Sequence, residues 1–250
     1  MKEWSNCEQP EAAFHITGAE RDGAWIITCD HATARVPPEI GTLGLPQADM
    51  ERHIAYDIGA RGVARALGEL LNAPVISSNF SRLVIDPNRG LDDPTLIMQL
   101  YDGSIIPGNR ALGVKARQDR IDRYYRPYDG ALAAAYAARK TAAIVSVHSF
   151  TPQLAGKPKR PWEIGILFGH DARLSQALIS VLKEEAGLTI GINEPYAGHL
   201  PGDAIDRHAL ASGRHNTLIE LRQDLIADDA GQMAWAARLA AALKSAKERV

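Results

Sequence analysis

Polar residues capable of chemistry recur just after short apolar runs in this sequence. WIITC (Trp25–Cys29) is followed by Asp30 and His31, LVI (83–85) by Asp86, Pro87, Asn88 and Arg89, and IVSV (144–147) by His148 and Ser149. ILF (166–168) leads into Gly169, His170 and Asp171, and TLIEL (217–221) carries Glu220, with Arg222 and Asp224 just beyond. Histidines with a carboxylate are the usual ligands of a catalytic zinc ion, which keeps one position for water. Such an ion lowers the pKa of water to about 7 and polarises a carbonyl, while a nearby glutamate shuttles the proton. The chemistry these residues suggest together is metal-assisted hydrolysis. No compact His-Glu-x-x-His signature supports it, so the ligands must be gathered from distant parts of the chain.

Each residue also has a structural explanation. His148 could cap its strand from within the core, since imidazole satisfies a strand end readily. His31 and Asp30 could cap the turn before Pro37 and Pro38. Asp57 reads as a helical residue with Arg61 at i+4, which suits a surface ion pair. Its neighbours Ile54 and Ile58, however, put it beside the apolar face. Glu220 is costly to bury alone, and Arg222 on the same strand face is its structural partner candidate. Asn88 and Arg89 could form only a turn, although the planar fork of arginine suits a carboxylate.

Strands alternating with helices must position these groups. The apolar runs at 25–29, 75–77, 83–85, 144–147, 164–168 and 217–221 read as buried strands. A helical period runs through Met50, Ile54, Ile58, Val63, Leu67 and Leu70, predicting one helix over 49–71. Residues 111–139 form an amphipathic stretch rich in Arg and Tyr, interrupted by Pro127. Leu174, Leu178, Val181 and Leu182 mark a further helix, and an Ala-rich helix closes the chain at about 228–247. The predicted fold is a single α/β domain over 1–250: a mixed, mostly parallel sheet flanked by helices. Residues 1–20 read as an N-terminal extension and about 24–226 as the catalytic core. The Gly- and Pro-rich stretches 155–161 and 187–202 read as long functional loops. Ligands of such sheets sit outside the carboxyl ends of the strands, where the polar residues above cluster.

With 28 Lys+Arg against 30 Asp+Glu, the net charge of -2 gives no reason to expect a nucleic-acid partner. Cys7 and Cys29 alone exclude a disulfide scaffold or a cysteine-rich zinc module. MKEWSNCEQPEAAF lacks the apolar core of a signal peptide, and no apolar run is long enough to span a bilayer. A cytoplasmic protein without membrane partners is the expectation.

Read in order, CDHATARVP (29–37), YDIGA (56–60), FSRLVIDPNRG (80–90), VSVHSF (145–150), NEPYAG (193–198) and IELRQDL (219–225) resemble the N-formylglutamate amidohydrolase family. Several also resemble segments of the zinc carboxypeptidases, whose core the fold should share. The resemblance implies that His31 and His148 are zinc ligands, that Glu220 is the general base, and that Asn88 and Arg89 bind a substrate carboxylate. Carboxypeptidases use H-x-x-E, but the residue three after His31 is Ala34. The third ligand must therefore come from elsewhere, with Asp57 preferred and Asp30 the rival. Arg82, Arg35 and Arg222 are spare cations for a second carboxylate, and Arg35 or Arg82 for an oxyanion. Ion pairing with nearby aspartates is the competing use of Arg82 and Arg35. His208 and His215 are expected near the pocket, and His53, His170 and His199 as surface or structural residues. The implied reaction is zinc-dependent hydrolysis of a small acidic N-acyl amino acid, N-formyl-L-glutamate first, to the free amino acid and formate. The alternatives are a peptidase or amidase acting on a peptide or cell-wall fragment, and a carboxylate-binding module without metal.

Overall fold

The computed structural model describes residues 12–198 and 200–250. Cys7 and His199 lie outside the described residues. Seven apolar runs build one sheet: β1 (Phe14–Thr17), β2 (Trp25–Cys29), β3 (Val75–Ser78), β6 (Ala143–Phe150), β7 (Ile164–Leu167), β8 (Ile190–Ile192) and β9 (Asn216–Arg222). Two short strands, β4 (Leu100–Tyr101) and β5 (Ser104–Ile105), pair separately as a hairpin. The sheet order is β1-β3-β2-β6-β9-β7-β8. β3, β2, β6 and β9 are parallel neighbours, β1 and β7 run antiparallel to β3 and β9, and β8 is parallel to β7. This is the mixed, mostly parallel sheet that continuous apolar runs predict. Every residue of β2 and β6 is buried, because helices cover both faces.

The helices are α1 (Gln47–Met50), α2 (Ala60–Leu70), α3 (Pro107–Arg110), α4 (Val114–Arg120), α5 (Arg126–Ala138), α6 (Arg173–Leu182) and α7 (Asp229–Lys247). Apolar residues of α2, α6 and α7 pack on Trp25, Ile27, Val145, Val147, Ile219 and Leu221. Tyr128 and Leu132 of α5 pack against Ile26, Ile76, Ile144 and Leu218 on the opposite face. Strand side chains alternate between faces, so Ser146, His148 and Glu220 belong to the α5 face. Asp228 caps α7 by accepting a hydrogen bond from the Gly231 amide at 2.8 Å. No helix among the described residues is long and apolar enough to cross a membrane.

Several sequence expectations need correction. The helix expected over 49–71 is two helices, α1 and α2, separated by turns. Gly59, at φ 79°, forces the break, and a Cβ there would lie 2.1 Å from the Ile226 carbonyl oxygen. Asp57 therefore sits in the turn before α2, its amide donating to the His31 carbonyl at 2.9 Å. Its i+4 relation to Arg61 loses its meaning there. LVI (83–85) is a buried turn, not a strand: Ser81 Oγ accepts from the Leu83 amide at 3.2 Å and donates to Ala55 O at 2.7 Å. Full burial of Leu83, Val84 and Ile85 explains the strand-like composition. The stretch read as an N-terminal extension includes β1, and the loop read at 187–202 includes β8. Pro127 does not end its helix. A π-helical turn (Ile121–Tyr125) joins α4 to α5, with the Arg126 amide bonded to Ile121 O, and this wider turn accommodates the proline near the start of α5.

Candidate active site

The carboxyl-terminal parts of β6 and β9 and the loops after β2 and β3 surround a cavity of about 440 Å³. His31 enters from the loop after β2, while His148 stands within β6, two residues before Phe150 at the end of the strand. Asp57 arrives from the turn that Gly59 creates. Among the described residues, His31, Asp57 and His148 form the one histidine–carboxylate group that could hold a metal ion, with all ligand atoms within 4.8 Å of one another. Both rings aim Nδ1 at Asp57 Oδ2, at 3.3 Å from His31 and 2.8 Å from His148. The ring centroids are 5.0 Å apart. Two imidazole nitrogens converging on a buried carboxylate match the donor set of a borderline divalent ion such as zinc.

The far nitrogen of each ring meets a further buried aspartate. His31 Nε2 lies 2.7 Å from Asp86 Oδ1, and His148 Nε2 lies 3.1 Å from Asp30 Oδ2. Histidine ligands commonly give their second N–H to a carboxylate, which fixes the tautomer and the ring's orientation. Asp30, the rival for third ligand, thus backs His148, while Asp57 stands between the rings. Burial opposes charge on Asp57, but His31 and His148 outweigh it and lower the carboxyl pKa. Burial likewise disfavours the His148 imidazolium, yet Asp30 and Asp57 raise that ring's pKa well above its ordinary value. Asp86 is backed in turn by Arg82, whose Nη2 reaches Asp86 Oδ2 at 2.7 Å and whose Nη1 lies 3.5 Å from Asp57 Oδ1. Burial works against the guanidinium charge, and Asp86, Tyr101 and Asp57 restore and exceed it, raising its pKa.

Glu220 is the register partner of His148 across β6 and β9 and lines the same cavity. Its Oε2 is buried without a hydrogen-bond partner, and burial first, with Asp57 adding repulsion and His148 opposing, pushes its pKa up to about 7. Arg222 does not relieve it. That guanidinium donates to Asp224 Oδ1 at 2.8 Å and to Trp162 O at 3.2 Å, away from the residues lining the cavity. Arg35 donates to Asn79 O at 3.0 Å and likewise does not line the cavity. Asn88 and Arg89 do line it. Asn88 Oδ1 accepts from the Ala204 amide at 3.2 Å, which leaves the side-chain NH2 as the remaining donor group. Arg89 donates to Asn88 O and Thr95 Oγ1 and forms no salt bridge among the described residues.

Other histidines sit differently from expectation. His208 bonds Asp129 at 2.6 Å, and His215 lines surface hollows with Lys247 and Arg173, so neither joins the central cavity. His53, expected as a surface or structural residue, lines the central cavity, as do Tyr101 and Tyr196. His53 Nε2 is 3.4 Å from Asp102 Oδ2 but lacks hydrogen-bond alignment. His170 is exposed, as expected. The sequence offered no signal for Asp86 as a support of His31, because Asp-Pro-Asn reads as an ordinary turn.

The fold and site define an α/β protein whose candidate metal centre lies at the carboxyl ends of parallel strands. The chain belongs to the N-formylglutamate amidohydrolase family, whose model matches residues 23–227, and this places it among the amidohydrolases. A gene product of Agrobacterium tumefaciens of known crystal structure is 35% identical, with a TM-score of 0.90 over 96% of this chain and 97% of that one. An N-formylglutamate amidohydrolase from Ralstonia eutropha JMP134 shares the fold, with 24% identity and a TM-score of 0.71 over 95% of this chain and 98% of its own. Comparison with curated proteins gives no match.

Proposed function

We propose that this chain hydrolyses the amide of a small acidic N-acyl amino acid, N-formyl-L-glutamate first, with a zinc ion held by His31, Asp57 and His148. The observation that carries the reading is Glu220. Isolated burial of a carboxylate is costly, and this one keeps an unpartnered oxygen and a pKa of about 7 in the cavity that the three candidate ligands share. A base works best when its pKa lies near the working pH. A divalent ion, when bound, would polarise the amide carbonyl and acidify a water molecule. Glu220 takes the proton of the attacking water and delivers it to the leaving nitrogen. Asp86 and Asp30 orient the two rings through Nε2, leaving Nδ1 for the ion.

Arg89, which forms no salt bridge among the described residues, and Asn88 bind the substrate carboxylate through charge-assisted hydrogen bonds. Arg82 is committed to Asp86 and Asp57, so it favours an anionic substrate through its charge rather than through a dedicated bond. A cavity of about 440 Å³ is sized for a small molecule and favours this reading over a peptidase that grips an extended chain. The test is a panel of N-formyl, N-acetyl and dipeptide substrates with acidic or neutral side chains, offered to zinc-loaded protein. Formate release should be fastest from N-formyl-glutamate. Full metal occupancy without turnover of any N-acyl amino acid would sink the proposal.

A further inference from the structure

The two candidate ligand histidines are backed by carboxylates of different character. Asp86 is neutralised by Arg82, an ion pair at 2.7 Å, and also accepts from the Asn88 amide at 2.9 Å. Asp30 is fully buried, and apart from His148 its hydrogen-bond partners are hydroxyls. Tyr128 donates to Asp30 Oδ1 at 2.6 Å, and Ser146 Oγ lies 3.3 Å from Asp30 Oδ2 and 3.0 Å from His148 Nε2. Tyr128 belongs to α5, just past Pro127, and is itself fully buried, with its ring edge-on to Phe80. Burial and the neighbouring Asp30 raise the phenol's pKa well above its ordinary value, so it stays a donor.

A carboxylate can turn about its own axis, and the atom that faces the imidazole decides where the ring points. Tyr128 holds Oδ1, which leaves Oδ2 aimed at His148 Nε2. We infer that Tyr128 is a positioning residue: through Asp30 it fixes the His148 ring and thereby sets the affinity of the site for a metal ion. The inference rests on the reading of His31, Asp57 and His148 as the metal site. It accounts for the Tyr-rich helix whose aromatic residues the proposed reaction does not otherwise use. It also predicts that His148 is held by a neutral relay from α5, whereas His31 is held by a charged one from the loop after β3.

Tyr128→Phe keeps the ring and deletes only the donor. Competition between the chelator-stripped protein and a zinc-binding dye gives the dissociation constant, and melting with and without zinc gives the stabilisation that the metal adds. Loss of a partner beyond the ligands lowers metal affinity by about 10–100-fold; Tyr128 stands one bond further out, so about 10-fold is expected, with a smaller zinc-induced rise in melting temperature. Ser175→Ala is the control. It removes a fully buried hydroxyl that bonds Thr217 Oγ1 at 2.9 Å and lines no part of the cavity. It should lower both melting temperatures alike and leave zinc affinity unchanged. If Tyr128 acts through Asp30, Tyr128→Phe combined with Asp30→Ala binds zinc no more weakly than Asp30→Ala alone. An unchanged dissociation constant in Tyr128→Phe, or a zinc-induced rise equal to that of wild type, overturns the relay while the metal site stands. A wild-type protein that binds no zinc overturns the metal-site reading and the relay together.

Discussion

Glu220→Gln should stabilise the metal-free protein at alkaline pH while removing its catalytic power. The carboxylate is buried, and its pKa rises from an ordinary 4.5 to about 7. One pKa unit corresponds to about 1.4 kcal/mol, so the ionised form costs the fold about 3 kcal/mol relative to the protonated one. A raised carboxyl pKa contributes stability that is complete below 4.5 and is lost as the pH climbs through about 7. Glutamine keeps the shape and never ionises, so the variant escapes this loss. Urea unfolding of chelator-stripped wild type and variant at pH 5 and pH 8 isolates the effect, because every other titrating group is common to both. The variant's advantage should grow by roughly 2–3 kcal/mol between the two values. Turnover of the zinc-loaded variant should fall by about 10²–10⁴-fold, the usual contribution of a general base. A variant less stable than wild type at pH 8, or one with near-normal turnover, would refute the reasoning.

Removing either imidazole from the candidate metal group, by His31→Ala or His148→Ala, should abolish stoichiometric zinc retention after dialysis, read by elemental analysis; full retention in both would reject these ligands. Arg89→Ala should keep its metal and lose on the order of 2–5 kcal/mol of substrate or transition-state binding, read from kcat/KM. A substrate analogue without the carboxylate should scarcely notice the change. Gly59→Ala should destabilise the protein by at least about 1–2 kcal/mol, since its φ of 79° and the 2.1 Å approach of Ile226 O both exclude a side chain. Because Asp57 lies two residues earlier, zinc affinity should fall with stability, and a melting curve equal to wild type would contradict this.

The sequence made His31, His148 and Glu220 easy to single out, because short continuous apolar runs led up to or enclosed them. Runs of this kind are buried whatever their neighbours do, so β2, β6 and β9 follow from composition. Asp57 was legible as a residue but not as a place. The helical period on both sides of it is real, and the single glycine at 59 overrides it. LVI at 83–85 misled for the converse reason: a turn wedged into the core needs the same apolar residues as a strand. The carboxylates behind the rings were not legible. Asp30 and Asp86 differ in role from Asp57 only through which atoms they face, and that depends on contacts 26 to 118 residues apart in the chain. His53 and Tyr128 were invisible for the same reason.

The distribution of charge ties these residues to one purpose. Asp30, Asp57 and Asp86 are all buried, and for each the neighbouring cations and hydrogen bonds overcome the burial penalty and lower the pKa. Arg82 is the one guanidinium bonded to this cluster among the described residues. Once both imidazoles are neutral, as ligation requires, three aspartates and one arginine leave an excess of two negative charges in a place where unpaired charge is expensive; without a metal, the raised pKa of His148 lets a proton on that ring cover part of it. A core selected for stability alone would replace such a cluster with apolar side chains at little cost or some gain. A divalent cation cancels the excess, and a bound cation is the largest local charge in any site that holds one. Glu220 fits the same balance. Burial first, and then repulsion from Asp57, lifts its pKa to about 7, and a cation beside Asp57 would ease the loss of its proton, so that the carboxylate is ready to take one from water.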